Sequence, residues 1–177
     1  SIGSARAGNV IGGGDWSSDR LIPDALRAFN LGEPVIIRNP LATRPWQHVL
    51  EPISGYLTLA QKLYFSDCEY AEGWNFGPID EDNKSVAEVL DYLVARWPSD
   101  VSWLSDKRDQ PHEAQLLKLD ISKAQERLKW SPSWNLNKAL QTIIKWQLAW
   151  LNGEDMRIVT LNQIRDFEES SRKLLKP

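Results

Sequence analysis

The sequence is poor in sulfur and in imidazole. Cys68 is its single cysteine, so no disulfide can close within the chain, and zinc sites built on several cysteines are excluded. A reduced, cytoplasmic setting is the expectation that follows. His48 and His112 are the only histidines and stand far apart, and the carboxylates around them show no ligand spacing, so no metal centre is expected. No apolar run approaches bilayer length, and no basic start leads into an apolar stretch. A spanning or secreted protein is therefore not expected. Charge of one sign is also scarce: the net charge is −3, and the acidic cluster Asp80-Glu81-Asp82 has Lys84 beside it. Without a concentrated basic face to neutralise phosphates, nucleic acid is not an expected partner. Low-complexity linkers and internal repeats are missing as well, so the 177 residues read as a single unit.

Tryptophan, by contrast, is plentiful. Nine indoles in this length point to core anchors. Near the N-terminus an apolar stretch, Arg6–Ile11, ends in Gly12-Gly13-Gly14-Asp15, the pattern of a covered strand delivering a glycine loop to the mouth of an α/β sheet. Asp15 or Ser17/Ser18 can cap a following helix that carries Leu21, Ile22, Leu26 and Phe29, with Gly32 after its end. Short strands are expected at 34–38 and 44–49, and Glu51-Pro52 starts a helix with Ile53, Leu57, Ala60 and Tyr64 at helical spacing. Trp74–Phe76 reads as a strand, and Ser85 with Glu88 as the capping box of a helix over 86–97. Short strands at 101–104 and 116–120 and a helical turn at 124–129 follow. Asn135 caps a long helix over 136–152, and Thr160 starts a last one whose charged end frays.

Several residues invite a chemical reading. Gly12, Gly14 and Ser17 stand at the three glycine positions of a dinucleotide fingerprint, but the third is a serine and no acidic strand end follows at the required offset. A structural turn or a loop for another phosphate ligand fits better. Arginine is suited to clamp a diphosphate, and Arg44, between turn residues and Pro45-Trp46, is the best placed of Arg20, Arg38, Arg44 and Arg108. His48 on a strand reads first as a satisfied core residue. His112 with Glu113 and Asp109 makes a polar loop without a serine or cysteine nucleophile at readable spacing, so no hydrolase triad is proposed. Asn75 lies at a strand's carboxyl end, where a ligand contact and a turn hydrogen bond are both open to it. Trp146 and Trp150, one helical turn apart, suit packing more than a sugar platform.

Longer strings carry more information. ARAGNVIGGGDW (Ala5–Trp16), DRLIPDALRAF (Asp19–Phe29), PVIIRNP (Pro34–Pro40), RPWQHVLEPISGYLTLAQKLY (Arg44–Tyr64), EGWNFGP (Glu72–Pro78), PHEAQLLKLDISKAQERLKWSP (Pro111–Pro132) and WLNGEDMR (Trp150–Arg157) together resemble the C-terminal half of the CDP-glucose 4,6-dehydratases. These enzymes form a group of the extended short-chain dehydrogenase/reductase family that acts on sugar nucleotides. The resemblance implies an α/β fold: the last strands of a Rossmann-like sheet plus a mainly helical substrate-binding domain with short strands. It also implies a reaction in which bound NAD takes hydride from sugar carbon 4, water leaves across carbons 5 and 6, and hydride returns to carbon 6. The product feeds deoxysugar biosynthesis for lipopolysaccharide and O-antigen.

By the same resemblance, Asn9, Arg20 and Leu21 contact a CDP-sugar, the segment Val35, Ile36, Ile37 and Arg38 holds its base, Arg44 binds the diphosphate, and His112 and Glu113 lie in the loop over the nucleotide. The family's NAD fingerprint, its Tyr-x-x-x-Lys pair and its acid/base carboxylates fall upstream of Ser1. None of Tyr56, Tyr64, Tyr70 and Tyr92 has a lysine four residues on. The expectation is a catalytically silent sugar-nucleotide-binding portion that lacks the NAD-binding Rossmann part and is not expected to hold NAD tightly by itself. A homo-oligomer is compatible with it. A non-catalytic interaction remnant, or part of a related epimerase or decarboxylase, is the alternative.

Overall fold

A computed structural model describes residues 1–66, 68–106 and 115–174. The chain enters on β1 (Ser4–Ala7), crosses at Gly8, and continues as β2 (Asn9–Ile11) in a different sheet. Gly8 is required there, since a Cβ would sit 2.5 Å from the Pro45 carbonyl oxygen. Beyond the glycine loop come α1 (Leu21–Leu31), β3 (Val35–Ile37), β4 (Thr43–His48) and α2 (Leu50–Phe65). β5 (Gly73–Phe76), a 3-10 turn over Asp80–Asp82, β6 (Asn83–Ser85), α3 (Val86–Val94) and β7 (Trp103–Ser105) follow. The chain closes with a π-helical turn, Ala124–Leu128, then α4 (Leu136–Leu151) and α5 (Met156–Leu174).

Three small sheets result. β1 pairs in parallel with β5, setting Ala5 opposite Trp74 and Ala7 opposite Phe76. The second sheet has the order β2-β4-β6, with β2 parallel and β6 antiparallel to β4. The third is the parallel pair β3 and β7. Two cores cover them. The larger joins Ile11, Phe29, Trp46, Leu90, Leu140 and Ile143, from α1, α3, α4 and the β2-β4-β6 sheet. The smaller packs Leu59, Trp74, Phe76, Ile121, Leu128 and Trp130 under β1 and β5. Six of the nine indoles are buried, as expected of core anchors.

Local signals set most helix ends. Glu88 N–H donates to Ser85 Oγ at 3.2 Å and Ser85 N–H donates to Glu88 Oε2 at 2.9 Å, the reciprocal box read from the sequence. Ser85→Ala is expected to cost about 1 kcal/mol, seen as a lower urea midpoint at unchanged slope. Asn135 Oδ1 accepts from Lys138 N–H at 2.9 Å and opens α4 as predicted.

Other expectations change. α1 begins after Arg20 with no side-chain cap, because Asp19 turns the chain through the left-handed region at φ 58° and Asp15 is spent on the Ser17 amide. α5 starts at Met156 rather than Thr160, since Asp155 Oδ1 accepts from the amides of Arg157 and Ile158. Of the strand expected over 116–120 there is one bridge, Thr43 to Leu116. On α2 the helical spacing is right and the face is wrong: Leu57 is 67% and Tyr64 82% exposed, while Gly55 and Leu59 are buried against β5.

Candidate functional site

β2, the loop before α1, β3 and β4 converge on a cleft of about 490 Å³. Asn9 enters at the start of β2, directly opposite Trp46 of β4. Arg20, in extended backbone just ahead of α1, and Leu21, the first residue of that helix, form a second wall. Val35, Ile36, Ile37 and Arg38 line a third; Val35 is buried and Ile36 is 65% exposed. Arg44 comes from β4, nearly buried, and donates from Nη1 to the Thr43 carbonyl at 3.0 Å. The neighbouring Trp46 is fixed by an Nε1–H bond to the Lys84 carbonyl at 2.9 Å. Eight of the ten residues that the resemblance sets against a CDP-sugar thus line one cleft. His112 and Glu113 lie outside the described residues.

The cleft mixes charges. Arg20, Arg38 and Arg44 face a rim that includes Asp15, Asp19 and Asp24. Partial burial works to raise the Asp15 carboxyl, but its bonds to Ser17 and the nearby Arg20 and Arg27 charges hold it below the usual carboxylate range. Asp24 is already paired with Arg27. Arg20, Arg38 and Arg44 are the cationic groups lining the cleft, and a guanidinium can hold a diphosphate through two parallel hydrogen bonds.

The glycine loop has a different task. A Cβ at Gly13 would lie 2.2 Å from Trp146 Cγ, and one at Gly14 would meet the same indole at 3.2 Å. These glycines make room for a buried tryptophan of α4, so the loop does not fit the pyrophosphate of a dinucleotide, in agreement with its faulty fingerprint. Trp16 at the loop's end packs on Trp150 at 4.6 Å between ring centroids. The Trp146/Trp150 pair is accordingly a packing device. Asn75 is likewise structural: its Nδ2 donates to the Asp120 carbonyl at 3.0 Å and its Oδ1 accepts from Arg6.

His48 stays away from the cleft. It closes β4, fully enclosed, with Nδ1 accepting the Leu50 amide at 3.3 Å and its ring 5.0 Å from that of Trp134; burial pushes it down to about 4. The residue that sequence reasoning missed stands three positions later. Glu51 has no exposed surface, and its two oxygens accept the amides of Ser133 at 2.9 Å and Trp134 at 2.7 Å. Burial pushes its carboxyl up to about 7, with the two amides acting against the rise and Asp82 adding to it. Glu51-Pro52 signals only a helix start, and nothing in the local pattern marks a carboxylate for burial. Among the described residues no group of acids, histidines and cysteines is placed to hold a metal, and no helix is long and apolar enough to cross a membrane.

No protein-family model matches the chain. A curated relative, the CDP-glucose 4,6-dehydratase of Salmonella typhimurium, is 54% identical over 172 residues, which are 97% of this chain and 48% of that protein. In sequence, the chain is a relative of CDP-glucose 4,6-dehydratase. It spans about half the length of that dehydratase. Solved structures share the fold. A dTDP-glucose 4,6-dehydratase of Bacillus anthracis in complex with NAD superposes with a TM-score of 0.61 at 17% identity, covering 82% of this chain and 44% of that one. A UDP-glucose 4-epimerase of Stenotrophomonas maltophila, with bound NAD and formylated UDP-arabinopyranose, gives 0.70 at 19% identity, with 86% and 49% covered. The α/β fold expected from the dehydratase resemblance, with parallel strands and covering helices, is therefore the fold observed, and it is shared with these sugar-nucleotide dehydratase and epimerase structures.

Proposed function

We propose that this chain is the sugar-nucleotide-binding portion of a CDP-glucose 4,6-dehydratase, whose whole converts CDP-glucose to CDP-4-keto-6-deoxyglucose with NAD as the internal hydride carrier. The observation that carries the reading is the convergence of Asn9, Arg20-Leu21, Val35–Arg38 and Arg44 on one cleft from separate stretches of chain. In this reading Arg44 clamps the diphosphate, Arg20 and Asn9 address the sugar side, and the β3 segment faces the base; His112 and Glu113 belong to the same proposal. No residue described here supplies a base for carbon 4, so the chain by itself binds and does not turn over. Supply of deoxysugars for surface polysaccharide, in the cytoplasm, is part of the same proposal.

Calorimetric titration with CDP tests it. CDP is expected to bind, and Arg44→Ala to weaken it about 10- to 100-fold, the worth of a lost hydrogen bond to a charged group. Absence of CDP binding to a folded wild-type chain would count against the reading and in favour of an interaction module. Equal affinity for CDP and UDP would favour a portion of a related epimerase.

A further inference from the structure

The start of α4 is held by carboxylates from two other elements. Glu51, in the first turn of α2, takes the amides of Ser133 and Trp134. Asp82, from the 3-10 turn before β6, takes the amide of Leu136. Burial raises both acids, with Glu51 raised further by the Asp82 charge. Around this corner stand His48 from β4, Glu81 beside Asp82, Lys84 from β6, Lys138 from α4 over the Trp134 ring, and Asp166 from α5, 3.9 Å from the Lys138 ammonium. α5 clasps the same corner, with Trp134 Nε1–H donating to Ser170 Oγ at 3.0 Å.

The other end of α4 is equally constrained. Trp146 lies about 15 Å along the helix from Leu136, its first residue, at the usual rise per residue. Its Nε1–H donates to Thr160 Oγ1 at 3.0 Å, and its ring occupies the space a Cβ of Gly13 would need. The helix between them packs Leu140 and Ile143 into the larger core, so it moves as a rigid rod if it moves at all. Three residues after Gly12 the same loop delivers Asp15 to the cleft.

We propose that the proton on Glu51 sets the seating of α4 and, through Trp146, the conformation of the Gly13–Gly14 loop that carries Asp15 into the cleft. A charged Glu51 accepts both amides. A protonated one has a hydroxyl in place of one acceptor, so one of the two bonds weakens and the corner relaxes. Glu51 is thus a positioning residue for the cleft wall. What the cleft binds belongs to the reading above, and the test below uses no nucleotide, so failure of one is distinguishable from failure of the other.

The test is a pH titration of backbone amide resonances from pH 5.5 to 8.5. Ser133, Trp134, Gly13 and Gly14 are expected to shift with one common midpoint near 7. The shifts at Gly13 and Gly14 should vanish in Glu51→Gln and move to lower pH in Asp82→Asn. A titration at Ser133 and Trp134 with none at Gly13 and Gly14 would overturn the coupling. A Gly13 midpoint unchanged in Glu51→Gln, or in Asp82→Asn should the first variant fail to fold, would overturn Glu51 as its source.

Discussion

The pH dependence of stability is expected to change in opposite directions when Glu51 and His48 are replaced one at a time. Glu51 keeps its proton to about pH 7 in the fold, against an ordinary 4.5, so its favourable contribution is complete below 4.5 and is lost as pH rises to 7. His48 stays neutral down to about 4, against an ordinary 6.5, so its contribution is complete above 6.5 and is lost as pH falls to 4. Each difference corresponds to about 3 kcal/mol. Between pH 4.5 and 6.5 the two slopes oppose and nearly cancel in the wild type. The stability of Glu51→Gln relative to wild type should therefore climb by about 3 kcal/mol from pH 4.5 to 7. That of His48→Asn should fall by about 3 kcal/mol from pH 4 to 6.5. Urea unfolding at half-unit pH steps measures both. Flat difference curves for both variants would show that neither group titrates as its burial dictates.

Gly55→Ala is expected to destabilise the chain, although alanine in a helix interior ordinarily gains about 1 kcal/mol over glycine. The new Cβ would stand 2.2 Å from Phe76 Cδ1. Phe76 cannot yield, because it has no exposed surface and packs edge-on against Trp130 at 5.0 Å and Tyr56 at 5.6 Å. Relief requires α2 to lift from β5, at a cost of about 2 kcal/mol or more from overpacking. Gly32→Ala provides the contrast. Its Cβ meets nothing within 4 Å, so only its left-handed φ of 70° is penalised, at about 1 kcal/mol. An equal or greater loss at Gly32 in urea unfolding would refute the packing argument.

Local chemistry was readable where it is self-contained. The Ser85/Glu88 box, the Asn135 cap and Gly32 after α1 depend on residues within a turn of one another, and each works as its sequence says. Which face of α2 is buried was not readable. Ile53, Leu57 and Tyr64 satisfy the helical period as well as Gly55 and Leu59 do, and the sheet that chooses between them is assembled from strands some seventy residues apart, Ala5 facing Trp74. Arg20, Arg38 and Arg44 stood out by their own loop surroundings, but Asn9, Leu21 and Val35–Ile37 were named only through the dehydratase resemblance, since no spacing rule links Asn9 to Arg44 before β2 and β4 pair. Glu51 escaped because its partners, Ser133 and Trp134, arrive from the far end of the chain. The triple glycine was readable as far as its faulty fingerprint, which left a structural turn open; that its shape answers to Trp146 was not, because the indole comes from a helix more than a hundred residues on.

One face of the molecule sets a practical limit. Among the described strands β1 pairs with β5 alone, leaving its outer edge open, and α2, packed on β5, presents Leu57 and Tyr64 to solvent. Both are templates for self-association: an extended segment that reaches the open edge gains backbone hydrogen bonds, and an apolar surface that reaches the stripe gains burial. The colloidal behaviour of the isolated polypeptide is governed by that face rather than by its weak net charge. Added salt, which screens charges and strengthens apolar contact, should hasten its self-association rather than disperse it.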